Sequence, residues 1–198
     1  FAYAENAELI VPAQAVEAGD AARHTEALIN ALPELVTDTE GTLVLFSSRR
    51  QMETVHEALK DDWHVPILVQ GMYSKQETLN RHRDRIDSGA GSVLFGLASF
   101  AEGVDLPGRY CEHVLIAKIP FAVPDDPVEA SLAEWIERNK GNAFMEVSVP
   151  DAALRLVQAS GRLLRKETDT GRITIFDRRL VSKRYDKRML QSLPPFRQ

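Results

Sequence analysis

The chain has 198 residues, of which 44% are hydrophobic and 27% are charged, values typical of one globular domain that can bury a core. It contains no apolar run near 18 residues, which excludes a membrane span, and its single cysteine, Cys111, excludes an internal disulfide and a four-cysteine metal or cluster site. The net charge of −5 by itself argues against a nucleic-acid-binding protein, and we expect a cytoplasmic location.

The charges are distributed unevenly along the chain. Residues 1–150 carry 12 Lys and Arg against 24 Asp and Glu, whereas residues 151–198 carry 12 against 5. The basic excess near the C-terminus could face phosphate groups, or it could be the solvated face of a terminal helix. Both interpretations stay open for Lys183, Arg184, Lys187 and Arg188.

Apolar runs of strand length alternate with amphipathic segments of helix length. Asp20 and Asp151 are predicted to be helix N-caps. The predicted elements are, in chain order, strand Glu8–Val11, helix Asp20–Leu35, strand Thr42–Phe46, helix Ser48–Leu59, strand Ile67–Val69, helix Ser74–Ile86, strand Ser92–Phe95, strand Glu112–Ile119, loop Pro120–Pro127, helix Val128–Asn139, helix Asp151–Arg165, strand Arg172–Phe176 and helix Ser182–Leu193.

This alternation predicts an α/β fold with a mostly parallel sheet and helices on both faces. We expect one domain over residues 1–198, with a loop and helix insert at residues 120–150. In such a sheet the ligand lies beyond the carboxyl ends of the strands. The candidate site is therefore expected at three strand exits, residues 46–49, 69–71 and 95–99, where small and polar side chains are concentrated.

The segment from Gln158 to Arg165 places an amide and two guanidinium groups at i, i+4 and i+7. On a helix, Gln158, Arg162 and Arg165 would share one face. Two arginines one turn apart match the oxygens of a polyphosphate, because the planar guanidinium fork is always charged. The alternative is that Arg162 and Arg165 form surface ion pairs with Glu167 or Asp169.

The other face of this helix is predicted to be apolar and to pack on the core. It would consist of Leu154, Val157, Gly161 and Leu164. A glycine inside a helix costs about 1 kcal/mol relative to alanine, so Gly161 is expected to mark a tight contact.

The chain has no phosphate-binding loop to accompany these arginines. None of its 11 glycines opens a G-x-x-x-x-G-K-[ST] sequence, the loop that an ATP motor uses to bind phosphates. The simplest interpretation is one half of a two-lobed motor, with the first lobe N-terminal to Phe1.

Two further segments carry candidate binding groups. Ser47-Ser48-Arg49 starts a helix, where hydroxyls and free N–H groups favour an anion, although Ser48 could simply be an N-cap. The loop from Gly96 to Gly108 contains three glycines, one serine and two acids. Gly103 would let the backbone approach a ligand closely, Asp105 could accept hydrogen bonds from the hydroxyls of a ribose, and Ser99 could bond a strand phosphate. The alternative is that the segment is a long turn with capping acids.

These segments, in this order, resemble motifs IV, V and VI of the second motor lobe of superfamily 2 helicases. The matching stretches are LVLFSSR at 43–49, LFGLASFAEGVD at 94–105, and QASGRLLRKETDTG at 158–171 followed by IFDRR at 175–179. The resemblance is strongest to the XPD/DinG branch, and within it to the bacterial DinG-like proteins.

The resemblance implies a RecA-like fold of the P-loop NTPase type and the C-terminal motor domain of an ATP-dependent 5′–3′ DNA helicase that acts in repair and replication. The implied substrate and cofactor are ATP and Mg²⁺, bound mainly by the absent first lobe, and the implied partners are single-stranded DNA and that lobe. Members of this branch often carry a 4Fe–4S cluster in the first lobe, which one cysteine cannot supply here. This chain alone is expected to be inactive.

The resemblance also assigns roles to individual residues. Arg165 would be the arginine finger, with Arg162 and Gln158 beside it. The residues near ATP would be Glu102, Gly103 and Asp105, and those facing the DNA backbone would be Ser47, Ser48, Arg49, Gln70, Gly71 and Ser99.

Two other classes of protein stay open. The chain could be a freestanding nucleic-acid-binding or partner-docking module without an ATPase role. It could also be a Rossmann-like enzyme, although no G-x-G-x-x-G follows its first buried strand. No histidine or acidic cluster has the spacing of a metal site.

Overall fold

The computed structural model describes residues 3–121, 127–162, 168–182 and 186–198. Six parallel strands form one sheet in the order β1-β6-β5-β2-β4-β3. The strands are β1 (Ala7–Ile10), β2 (Gly41–Phe46), β3 (Ile67–Val69), β4 (Ser92–Leu97), β5 (His113–Ile116) and β6 (Gly171–Ile175). The helices are α1 (Tyr3–Asn6), α2 (Ala21–Leu35), α3 (Arg49–Leu59), α4 (Lys75–Asp87), α5 (Ala98–Glu102), α6 (Pro127–Arg138), α7 (Val149–Ser160), α8 (Arg179–Ser182) and α9 (Asp186–Ser192). Within these residues, no helix is both long and apolar enough to cross a membrane.

Alternating strand residues build a core on each face of the sheet. On one face, Leu43 and Leu45 of β2 pack with residues of α5, α7 and α9. On the other face, Val44 and Phe46 pack with α2 and α3. Both faces of β2 are therefore buried, as its unbroken apolar sequence predicts for the central strand of a parallel sheet.

The starts of three helices follow from local sequence. The side chains of Asp20, Ser48 and Ser74 each accept a hydrogen bond from the backbone N–H three residues later, which satisfies an amide that the helix leaves free. The predicted N-cap Asp20 is confirmed. Asp151 is not an N-cap, because a π-helical turn at Phe144–Ser148 runs directly into α7 and places Asp151 in the first turn.

The predicted end of the Asp151–Arg165 helix is wrong, and its predicted inner face is correct only in part: Val157 packs against the core, and Leu164 lies outside the described residues. Helix α7 ends at Ser160, with Gly161 just beyond it. A Cβ at Gly161 would lie no closer than 3.4 Å to a neighbouring atom, so this glycine marks the end of a helix and no tight contact. The core-facing residues are Val149, Ala152, Ala153, Leu156 and Ser160, whereas Leu154 is 55% exposed.

Two other predicted elements differ in extent. The strand expected at Glu112–Ile119 is confined to β5. The helix expected at Ser182–Leu193 overlaps α8 at Ser182 and α9 at Asp186–Ser192, and residues 183–185 lie outside the described residues. Most of the loop expected at Pro120–Pro127 lies outside the described residues.

A buried histidine attaches α4 to the sheet. His82 has no exposed surface. Its Nε2–H donates to the carbonyl oxygen of Tyr110 at 2.6 Å, and the hydroxyl of Ser92 donates to its Nδ1 at 2.8 Å. Burial lowers the pKa of His82 to about 4, against the opposing effect of the Tyr110 carbonyl, so the neutral ring is the stable form in the folded chain.

Candidate functional site

The predicted strand exits lie side by side at the carboxyl edge of the sheet. Strand β4 lies between β2 and β3, and the register pairs Phe46 with Leu97 and Val69 with Phe95. The segments that follow these three strands therefore meet at one edge, as expected for a parallel α/β sheet.

A cavity of about 300 Å³ lies between α5 and α7, next to Leu45 of β2. Three predicted site residues line it together: Glu102 from α5, and Gln158 and Arg162 from α7 and its C-terminal end. We call this space the α5–α7 cavity. The remaining lining residues are Ala98, Ala101, Asp151, Leu154, Arg155 and Ala159.

Arg162 connects the two segments that form this cavity. It is half-buried just beyond the end of α7, and its Nη1 donates to the carbonyl oxygen of Val104 at 3.3 Å. Val104 lies two residues after Glu102, the last residue of α5, so one guanidinium joins both segments. This bond uses an N–H group of Nη1, and the remaining N–H groups of the Arg162 guanidinium can donate hydrogen bonds to a ligand.

Sequence reasoning missed a further ion pair in this cavity. Arg155 Nε lies 3.0 Å from Asp151 Oδ2, and both side chains are nearly half exposed. The i, i+4 spacing of an acid and a base is visible in the sequence. That spacing is typical of any exposed helix, so it could not identify the pair as part of a site.

The other residues expected near ATP do not line the α5–α7 cavity. Gly103 faces Lys75, because a Cβ at Gly103 would lie 2.1 Å from Lys75 Nζ. The carbonyl oxygen of Asp105 accepts from Arg83 Nη2 at 2.6 Å, and Asp105 is absent from the cavity lining. Arg165, the expected arginine finger, lies outside the described residues.

A second cavity, of about 270 Å³, brings together three of the residues expected to face DNA: Gln70, Gly71 and Ser99. We call it the β3–β4 exit cavity. Gly71 has a φ of 95°, a left-handed conformation that favours glycine. The rest of the lining consists of Tyr73, Lys75 and Phe100, which sequence reasoning did not select.

Gln70 has a structural role in this cavity. Its side-chain Oε1 accepts from the backbone N–H of Leu97 at 2.8 Å, and the backbone N–H of Gln70 donates to the carbonyl oxygen of Phe95. The two bonds hold the ends of β3 and β4 together. The side-chain oxygen is thus engaged with the sheet, which leaves the amide NH₂ group as the available donor.

The residues after β2 line neither of these cavities. Ser48 Oγ accepts from the backbone N–H of Gln51 at 3.2 Å, so its capping role is confirmed, while Ser47 and Arg49 are exposed. Ser48 also lines a third, open cavity of about 610 Å³ between α2 and α3. Of the basic residues near the C-terminus, Lys187 is exposed, and Lys183, Arg184 and the side chain of Arg188 lie outside the described residues.

The short helix α5 separates the first two cavities. Ala98, Ala101 and Glu102 line the α5–α7 cavity, whereas Ser99 and Phe100 line the β3–β4 exit cavity. One short helix therefore contributes residues to the lining of both cavities. Within the described ranges, no group of three or more His, Cys, Asp or Glu residues could hold a metal ion.

Comparison with known families gives a direct match. The family model described as a helicase C-terminal domain matches residues 32–196. The chain is 47% identical over 202 residues to a Photobacterium profundum protein named ATP-dependent DNA helicase DinG, covering 100% of the chain and 29% of that relative. It is 37% identical over 197 residues to a Mycobacterium tuberculosis protein named ATP-dependent helicase DinG, covering 99% of the chain and 29% of the relative. The chain thus spans 29% of the length of these relatives.

Solved structures share the fold. A structure named XPD_Helicase superposes with a TM-score of 0.67 at 20% identity, covering 94% of this chain and 34% of that one. A structure of S. tokodaii Xpd4 gives a TM-score of 0.64 at 16% identity, covering 96% of this chain and 37% of that one. The expected RecA-like fold, a parallel sheet with helices on both faces, is confirmed.

Proposed function

The chain belongs to the helicase C-terminal domain family, and we propose that it is the second motor lobe of an ATP-dependent helicase that moves 5′ to 3′ on single-stranded DNA. The observation that carries this proposal is the α5–α7 cavity, which is lined by Glu102, Gln158 and Arg162 together. The proposed setting is the cytoplasm, and the proposed role is in DNA repair and replication.

The proposed nucleotide site lies between this lobe and a first lobe. The α5–α7 cavity offers the guanidinium groups of Arg162 and Arg155 and the amide of Gln158, donors that suit the oxygens of a triphosphate. Arg165 would be the finger that meets the charge developing on the γ-phosphate. The first lobe would bind the remaining phosphates and Mg²⁺, and it would contain any 4Fe–4S cluster, since this chain has one cysteine.

The proposed DNA path crosses the strand exits at the carboxyl edge of the sheet. Ser99, Gly71 and the amide NH₂ of Gln70 would donate to backbone phosphates in the β3–β4 exit cavity, and Ser47 and Arg49 would extend the path past β2. Contacts of this kind carry no base information, so the proposed helicase would act on any sequence.

The position of α5 supports a route from chemistry to movement. Glu102 lines the α5–α7 cavity and Ser99 lines the β3–β4 exit cavity, and both lie on the short helix α5. A shift of α5 on ATP binding would therefore change the DNA contacts as well. In this proposal the nucleotide biases a rigid element that the DNA also contacts.

The test is ATP hydrolysis stimulated by single-stranded DNA, measured on the longer protein that carries this chain. We expect Arg165→Ala to lower turnover about 10³-fold or more, the effect of losing an arginine finger in related phosphoryl transfer, with DNA binding retained. Arg138→Ala is the matched control, because Arg138 lies on α6 with a side chain that is 79% exposed.

Two results would contradict the proposal. One is unchanged turnover in Arg165→Ala, which would remove the arginine-finger assignment. The other is normal ATP turnover by residues 1–198 alone, which would show that no first lobe is needed.

A freestanding nucleic-acid-binding module is the second candidate. It is favoured by the β3–β4 exit cavity, where Lys75 and the polar side chains of Gln70, Tyr73 and Ser99 lie together away from the α5–α7 cavity. Tight, salt-sensitive binding of single strands by residues 1–198, combined with ATP turnover of the longer protein that is indifferent to Arg162→Ala and Arg165→Ala, would support this candidate over the motor lobe.

A further inference from the structure

We propose that Tyr73 and Lys75 form a contact for one nucleotide of single-stranded DNA, in which the Tyr73 ring stacks on the base and the Lys75 ammonium pairs with a phosphate. This inference rests on the proposed function and assigns two binding residues beyond the family motifs. Both side chains line the β3–β4 exit cavity beside Gln70, Gly71 and Ser99.

The Tyr73 ring is exposed and held in a defined orientation. It is 40% exposed, and the guanidinium carbon of Arg81 lies 4.1 Å from its centroid. Arg81 is in turn fixed by an ion pair with Glu77, one turn earlier on α4, at 2.8 Å. A cation over one face of an aromatic ring is attracted to it, which leaves the opposite face for a base.

An aromatic ring held in this way is a suitable platform for a base. Tyrosine loses little conformational entropy on binding, because only two side-chain torsions must be fixed, and here Arg81 already restricts them. Every base has a flat π-face, so stacking tolerates any sequence. In a duplex that face is covered by neighbouring base pairs, which makes an unpaired strand the matching ligand.

Lys75 supplies a cation next to this platform. Its side chain is exposed, its Nζ lies 5.4 Å from the centroid of the Phe100 ring, and no carboxylate of the described residues forms an ion pair with it. The missing side chain of Gly103 leaves room for this ammonium, since a Cβ there would lie 2.1 Å from Nζ.

The two residues are two positions apart in the chain and share one small cavity with the hydroxyl of Ser99. An aromatic platform combined with a neighbouring cation is the combination that binds single strands without sequence preference. The chemistry of the cavity therefore matches one base and its adjoining phosphate. The left-handed backbone at Gly71 starts the turn that presents both side chains.

The experiment measures the affinity of the longer protein for a fluorescent oligothymidine of about 15 nucleotides, a length within the range that single-strand sites cover. The variants are Tyr73→Ala, Tyr73→Phe and Lys75→Ala. The matched controls are Trp135→Ala, an aromatic residue that is 63% exposed on α6, and Lys60→Ala, an exposed lysine at the C-cap of α3. A second probe has the same length but carries abasic sites throughout.

We expect Tyr73→Ala to raise the Kd for oligothymidine about 5-fold or more, the loss measured for one stacked base. Tyr73→Phe should stay within about 2-fold of wild type, because it keeps the ring. On the abasic probe, wild type and Tyr73→Ala should bind equally. Lys75→Ala should reduce the slope of log affinity against log salt by about 0.7, the value for one phosphate of a single strand.

The outcomes separate this inference from the proposed function. If wild type binds oligothymidine and Tyr73→Ala binds it equally well, the stacking contact is refuted while the motor-lobe proposal stands. Equal weakening in Tyr73→Ala and Tyr73→Phe would also refute stacking, and an unchanged salt slope would refute the role of Lys75. If wild type binds no single-stranded DNA, the proposed function fails and this inference fails with it.

Discussion

Protonation of His82 should destabilise this chain in mild acid, and replacing the residue should remove that part of the pH dependence. The ring is fully buried between α4 and β4, with Nε2–H donating to Tyr110 and Nδ1 accepting from Ser92. Burial penalises the charged form, and Arg85 and Arg83 penalise it further, so the pKa falls to about 4 from 6.5. The folded chain binds the proton less readily than the unfolded chain does.

The sign and size follow from this difference in pKa. Well above pH 6.5 both states hold a neutral ring, and the contribution of His82 to stability is fully present. As the pH falls toward 4 the unfolded state takes up the proton first, so the free energy of unfolding decreases. With 1.36 kcal/mol per pKa unit, the loss between pH 7 and pH 5 is about 2 kcal/mol.

Urea unfolding followed by tryptophan fluorescence at pH 7 and pH 5 tests this value, with His82→Gln compared against wild type. The variant should have a lower stability at pH 7, because it loses part of the hydrogen bonding, but it should lose about 2 kcal/mol less than wild type between the two pH values. His64→Gln is the control, since His64 is exposed. Equal losses in wild type and His82→Gln would refute the reasoning.

Two further predictions concern stability: one tests a close steric contact and the other a buried ion pair. Gly96→Ala would place a Cβ 2.6 Å from Cδ1 of the buried Phe100 ring, so we expect a loss of about 1–3 kcal/mol in urea unfolding and, because α5 must shift, weaker oligothymidine binding. Arg172→Ala would remove the two-pronged ion pair with Glu40, which is 8% exposed, and we expect a loss of about 3 kcal/mol. Arg138→Ala, whose ion pair is exposed, should lose less than about 0.5 kcal/mol, and equal losses in these two arginine variants would contradict this prediction.

The strands and most helices could be predicted because their signals are local. The apolar run at Thr42–Phe46 predicted a strand buried on both faces, and β2 is one. Asp20 predicted a helix start because its side chain reaches an amide only three residues away. Such signals depend on a few neighbouring residues, so they survive without knowledge of the rest of the chain.

The helix before Arg162 was predicted less well. Its amphipathic pattern suggested one continuous helix through residue 165, with Leu154 on the inner side. The helix instead starts earlier, at Val149, ends at Ser160 and turns Leu154 outward into the α5–α7 cavity. The rotation of a helix about its axis is set by what it packs against, and the sequence of α7 allows more than one apolar face to point toward the core.

The sequence by itself determined the parallel α/β architecture and the strand exits that carry the candidate site, because periodicity and turn chemistry act between close neighbours in the chain. Only the tertiary structure decided how the residues at that edge divide between two cavities. It placed Glu102 with Gln158 and Arg162, and Ser99 with Tyr73. These partners are separated by 26 to 60 positions, and their proximity depends on the order of strands in the sheet, which no local pattern specifies.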